Sequence, residues 1–197
     1  MTYYPIVICG PSGTGKDTAI KALISKNPKI RDAVGYTTRT LRENEINGKD
    51  ICSVTKEAFE QLINDELLIE HAEFDNEYYG MPKIELEKAE TEMTVFNIGV
   101  SGAKAIKEFN SNAVTILLLP PSKEELVTRL GNRGEERLKR VKNDVAEAAS
   151  FFDYCVISEN NEIDKLVQDI ESIIYNQNQD FHISNSTEFI EGFLSCF

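Results

Sequence analysis

Gly10-Pro11-Ser12-Gly13-Thr14-Gly15-Lys16, set directly behind the apolar run Pro5-Ile6-Val7-Ile8-Cys9, decides how this chain is read. The order is a buried strand, a glycine-rich turn and a helix beginning near Lys16, the context that a phosphate-binding P-loop requires. Glycines let main-chain N–H groups close around a polyphosphate, and the helix N-terminus adds a partial positive charge. Lys16 reaches the outer phosphates as a point charge. Glycine-rich turns also occur in α/β folds that bind no nucleotide, but Gly-x4-Gly-Lys with both flanking elements points to nucleotide binding. One position departs from the motif. It should continue with Ser or Thr, whose hydroxyl binds Mg²⁺, whereas Asp17 stands there and Thr18 follows.

A chain of 197 residues is expected to form one domain with a substantial core. No apolar run approaches the roughly 20 residues of a membrane span, and no basic region precedes the short N-terminal apolar run, as a secretion signal would require. Cytoplasmic residence is the expectation. Cys9, Cys52, Cys155 and Cys196 show no close pairing and read as small hydrophobes rather than as disulfides or a metal site. Only His71 and His182 are present, which speaks against a multi-histidine centre. The net charge of −12 argues against a nucleic-acid surface. An acidic protein that handles polyphosphates must gather its cations locally, and arginines do cluster, at Arg39 and Arg42 and again at Arg129, Arg133, Arg137 and Arg140.

Apolar periodicity predicts a helix from Asp17 to about Asn27, ended by Asn27-Pro28. A short extended piece from Ala33 to Thr38 and a charged loop from Arg39 to Asp50 follow, with a turn at Asn47-Gly48. Thr55 to Asn64 reads as a helix and Leu67 to Phe74 as an extended segment, with a turn at Asp75-Asn76. Pro82 is expected at a helix start, where its missing N–H costs nothing, and Lys83 to Glu92 as a solvated helix face. Thr94 to Ile98 and Val114 to Leu119 read as buried strands, the second as a central parallel one. Ser101 to Phe109 reads as the helix between them, and Ser122-x-x-Glu125 as a capping box opening the next helix. A long helix from about Glu135 to Phe152, a strand from Tyr154 to Ile157 and a helix from Ile163 to Tyr175 complete the pattern. Alternating strands and helices imply a parallel sheet covered on both faces. The tail from Asn176 to Phe197 turns apolar at Phe189, Ile190, Phe193, Leu194 and Phe197; docking on the parent domain and self-association both fit it, docking being the default.

Taken together, the motifs resemble those of a guanylate kinase over about Pro5 to Tyr175. The carriers are the P-loop, Thr37-Thr38-Arg39-Thr40-x-Arg42, Asn47-Gly48-Lys49-Asp50, Ile69-Glu70-x-Ala72-Glu73-Phe74, Tyr78-Tyr79-Gly80 and Leu118-Leu119-Pro120-Pro121-Ser122. The resemblance implies a P-loop NTPase-type α/β core over 1–176. It also implies a small mixed insertion binding the nucleoside monophosphate (38–82) and a helical lid (131–142); a tail (177–197) follows the region it covers. It implies transfer of the ATP γ-phosphoryl group to GMP with Mg²⁺, small-molecule nucleotides being the partners. Gly10 to Thr18 would hold ATP. Arg39, Arg42 and Tyr79 would hold the acceptor phosphate, and Glu70 would accept hydrogen bonds from guanine. Lys16, Arg42, Arg129 and Arg140 would neutralise the transferring group, with Arg133 a further candidate. The physics agrees, because phosphoryl transfer is catalysed mainly by positioning and charge neutralisation, and arginine forks serve both.

The chain also departs from the family. A serine expected four residues before the first arginine is Gly35, a phosphate-binding tyrosine is Ile51, and a base-reading Ser or Thr after Tyr-Tyr-Gly is Met81. The expected Asp-x-Asp-x-x-Gly reads Asn97-Ile98-Gly99-Val100-Ser101-Gly102, and the lid between Gly134 and Arg140 is shorter. Each lost hydrogen bond to a charged group weakens recognition by roughly 1.5–3 kcal/mol. Three other readings therefore stand beside the leading one: a kinase for another nucleotide, a guanylate-kinase-like binding module, and a sensor that binds ATP without turnover. Asp17 is either a carboxylate that binds Mg²⁺ in place of the one missing at Asn97 or a tolerated substitution.

Overall fold

The computed structural model describes residues 3–74, 76–131, 134–176 and 179–197. Nine strands and eight helices are assigned among them. Five strands build the main sheet: β1 (Ile6–Cys9), β2 (Ile30–Asp32), β7 (Met93–Asn97), β8 (Val114–Leu119) and β9 (Tyr154–Ile157). Their order is β2-β7-β1-β8-β9 and every pairing is parallel. Parallel neighbours need crossover helices, and these cover both faces. Along β1, Ile6 and Ile8 face one layer with α1 (Lys16–Lys26) and α7 (Ile163–Asn176). Val7 and Cys9 face the other, with α4 (Val100–Phe109) and α6 (Gly134–Ala149). α5 (Lys123–Leu130) begins where expected, the Ser122 hydroxyl accepting from the Glu125 N–H at 3.1 Å.

A second, four-stranded sheet stands on this core, formed by β3 (Tyr36–Thr37), β4 (Cys52–Ser53), β5 (Leu68–Phe74) and β6 (Glu77–Pro82) in the order β4-β3-β6-β5. α2 (Lys56–Asn64), capped by the Thr55 hydroxyl, lays Phe59 beneath it. The segment from Ala33 to Thr38 is thus not one extended piece. The chain leaves the main sheet after Asp32 and enters the second at Tyr36.

Two further expectations are corrected. Pro82 closes β6 opposite Leu68 instead of opening a helix, at a strand end where its missing N–H is tolerated. α3 (Ile84–Ala89) is shorter than the charge pattern suggested, and it is not a solvated face. Glu85 is 2% exposed and accepts hydrogen bonds from Arg31 Nη2 (2.5 Å), Lys88 Nζ (2.7 Å) and the Val34 N–H (3.2 Å). Those contacts tie α3 to the crossing between the two sheets. The Asp75 half of the expected Asp75-Asn76 turn lies outside the described residues, as does residue 177 at the edge of the tail.

The described part of the tail docks on the core. Ile183 N–H donates to Asp153 O at 2.9 Å, and α8 (Thr187–Ser195) packs Ile190 and Phe193 into the cluster containing Val141, Val145 and Ala148 of α6. All four cysteines are free, and burial pushes the Cys9 thiol up to about 12 and the Cys155 thiol up to about 11. Among the described residues no helix is long and apolar enough to cross a membrane.

Candidate active site

The glycine-rich turn runs from the end of β1 to the start of α1. At Gly10 the backbone has φ +151° and a Cβ would lie 2.1 Å from the Leu118 carbonyl oxygen, so only glycine fits there. Gly15, at φ +83°, is the residue immediately before α1. Thr14 is fully buried and donates its hydroxyl to Pro11 O at 2.9 Å, which closes the loop from inside. Lys16 Nζ donates to Gly10 O (2.7 Å) and Pro11 O (2.8 Å), and burial pushes its pKa down. The lysine therefore lies along the loop whose amides would surround a polyphosphate. Asp17 is exposed in the first turn of α1, and its Oδ1 accepts from Asn97 Nδ2 at 2.6 Å across the end of β7. Thr18 is exposed beside it.

Two of the cavities near this turn carry the expected site residues. The first, about 260 Å³, is bounded by Gly10, Pro11 and Ser12 on one side and by Leu130, Arg140, Val141 and Asp144 on the other. Arg140 is exposed on α6, one turn before Asp144. Arg129 sits against Gly13, whose Cβ would come 3.3 Å from the Arg129 Cβ. Its guanidinium donates to Glu125 Oε1 (2.9 Å), Ser158 O (2.9 Å) and Asn160 Oδ1 (2.8 Å). Arg133 lies outside the described residues, as does the Arg137 side chain.

The second cavity, about 350 Å³, lies between the two sheets and carries Asp17 and Asn97 on its wall. Arg39, Arg42, Glu70 and Tyr79 line it together, although they come from a loop and two strands far apart in sequence. Arg39 forms a fork-to-fork pair with Glu45, both nitrogen–oxygen distances being 2.7 Å. Glu45 is the first cause of the raised Arg39 pKa, and Arg39 in turn holds Glu45 down to about 2. Glu70 and Met81 are cross-strand partners, so both side chains share one face. Ser101 Oγ donates to Glu70 Oε2 at 2.8 Å. His71, next to Glu70, is exposed.

Several residues of this cavity carried no recognisable sequence signal. Glu45 and Lys21 stand in no motif, yet both line it, as does Asp50 of the Asn47-Gly48-Lys49-Asp50 motif. Asp32 lines it too, with a buried Oδ1 that has no partner. Burial first, and the Asp17 charge second, push the Asp32 carboxyl up to about 7. Ser101 could have been singled out only by knowing that the N-terminus of α4 meets β5.

Asp17, Thr18 and Asn97 supply hard oxygen donors of the kind Mg²⁺ prefers. Among the described residues no group of three or more His, Cys, Asp and Glu side chains is arranged to hold a metal ion.

Comparison with known proteins gives the family. The family model described as guanylate kinase matches residues 2–177. A protein named guanylate kinase from Clostridium perfringens (strain SM101 / Type A) is 39% identical over 177 residues, spanning 86% of this chain and 81% of the relative. Its counterpart from Oceanobacillus iheyensis is 38% identical over 177 residues, with 85% and 84% covered. The crystal structure of guanylate kinase from Anaplasma phagocytophilum superposes with a TM-score of 0.70 at 28% identity, covering 89% of this chain and 86% of that one.

Proposed function

The chain belongs to the guanylate kinase family, and from that premise we propose that it transfers the γ-phosphoryl group of ATP to GMP, giving ADP and GDP. The carrying observation is that the P-loop and the Arg39–Arg42–Glu70–Tyr79 cavity adjoin through Asp17 and Asn97, which touch each other. A donor phosphate on the loop and an acceptor phosphate against the arginines would therefore meet at one place.

In that reading the amides of Gly10 to Lys16 hold the donor phosphates, and the Lys16 ammonium exchanges its two loop carbonyls for phosphate oxygens. Arg42, Arg39 and the Tyr79 hydroxyl hold the acceptor phosphate, Glu45 keeping the Arg39 fork oriented. An oxygen of the GMP phosphate attacks the γ-phosphorus, the bond to the bridging oxygen breaks, and ADP leaves. Arg140, which lines the cavity beside Gly10 and Ser12, and Arg129, packed against Gly13, would supply positive charge as the transferring oxygens approach. Asp17, oriented by Asn97, is the residue suited to Mg²⁺, which when bound neutralises charge on the nucleotide phosphates. Glu70 accepts the guanine N1–H and exocyclic amine. The acidic net charge supports small nucleotides rather than nucleic acid as partners.

ADP formation from ATP, measured over a panel of ribo- and deoxynucleoside monophosphates, tests the proposal. GMP should give the fastest turnover. Turnover led by a different acceptor, or none across the panel, would overturn it.

A further inference from the structure

We propose that Ser101 is a positioning residue that sets Glu70 for paired recognition of the acceptor base, and so determines how strongly the enzyme favours a purine carrying a 2-amino group. The inference rests on the reading that Glu70 faces the guanine edge.

A carboxylate accepts two parallel N–H groups only when its plane is fixed relative to the base. Glu70 lies on β5 beside Met81, its cross-strand partner, and Ile98, both buried and apolar. Gly35 is next to Met81 and brings no side chain of its own, a Cβ there reaching the Met81 methyl carbon at 3.7 Å. The orientation of Glu70 therefore comes from α4. Ser101 Oγ donates to Glu70 Oε2 at 2.8 Å. One residue further on, Gly102 forms the surface under the carboxylate, where a Cβ would come within 2.6 Å of Glu70 Cδ. Ser101 is near the helix start, yet its hydroxyl is committed to Glu70, and the Gly99 N-cap has no side-chain cap. With Oε2 anchored, Oε1 and the second lone pair of Oε2 remain for two base donors. Guanine presents two, N1–H and the 2-amine. Hypoxanthine presents only N1–H and adenine only one amine, so both use the arranged carboxylate less fully.

Steady-state kinetics with GMP and IMP at saturating ATP, on wild type, Ser101→Ala, Ser101→Thr and Glu70→Gln, test this. Ser101→Ala should raise KM for GMP about tenfold, the scale of one hydrogen bond to a charged group. KM for IMP should rise clearly less, with kcat and KM for ATP unchanged, and Ser101→Thr should restore the GMP value. An unchanged GMP KM in Ser101→Ala, or equal losses on GMP and IMP, would overturn the inference while Glu70→Gln still weakens GMP. If Glu70→Gln itself leaves KM for GMP unaltered, the underlying reading of Glu70 fails as well.

Discussion

Replacing Glu85 by glutamine separates two physical pictures of α3. If the helix were a solvated face, as its charge pattern suggests, the change would alter stability by no more than about 0.5 kcal/mol. The structure instead buries Glu85 to 2% exposure and surrounds it with Arg31, Lys88 and the Val34 N–H. Removing the charge takes from the Arg31 guanidinium the buried one of its two carboxylate partners, and breaking a buried pair costs about 3–5 kcal/mol. Arg31 retains some solvent and a second carboxylate, Glu92, at 3.2 Å, so the low end applies, about 3 kcal/mol. In a domain of this size that lowers Tm by about 6–12 °C. The pH dependence has a defined sign. Burial alone would raise the Glu85 pKa, but the hydrogen bonds from Lys88 and Arg31 outweigh it and the folded value lies below the ordinary one. Its contribution is thus complete above the ordinary glutamate range and is lost as pH falls through the folded value. Urea unfolding of wild type and Glu85→Gln should show a wide gap at neutral pH that narrows on acidification. A gap under about 0.5 kcal/mol at neutral pH would refute the reasoning.

Two other outcomes follow from the geometry. Asp32 is pushed up to about 7, so the folded state holds its proton more tightly than the unfolded chain does, and stability falls as pH rises from the ordinary aspartate range towards that value. Asp32→Asn should therefore gain on wild type across this window, reaching about 4 kcal/mol at slightly alkaline pH. Urea unfolding at a series of pH values checks it, and a pH-independent difference would contradict it. Phe193, on the buried face of α8, is 5% exposed, and its truncation to alanine should cost the docking of the tail about 3 kcal/mol. Hydrogen exchange should then rise across Thr187–Ser195 while β1 and β8 stay protected; unchanged exchange in α8 would show that the aromatic does not hold it.

The main sheet was legible because its signals are local. β1 and β8 are continuous apolar runs, the glycines mark the turn between strand and helix, and Ser122 caps α5 through a residue three positions away. The crossing between sheets was not, because β3 and β4 are two-residue strands, too short for any periodicity. The polar interior was hidden for a related reason. Arg31 meets Glu85 across 54 positions, Ser101 meets Glu70 across 31, and Asn97 meets Asp17 across 80. Glu85 reads as part of a solvated helix face, and none of the three pairings shows in the local sequence. At the site, Arg39, Arg42, Glu70 and Tyr79 were found through motifs. Glu45, which pairs with Arg39, Ser101, which donates to Glu70, and Asp32, which lines the same cavity, needed the fold.

The account depends most on the glycine-rich turn grasping a triphosphate. Calorimetric titration of Mg²⁺·ATP into the full chain, wild type against Lys16→Met, measures this directly. The wild type should bind with a single site, and Lys16→Met should lose about tenfold or more in affinity, as expected for a charge-assisted contact. No heat from the wild type, or equal affinity in the two proteins, would contradict it.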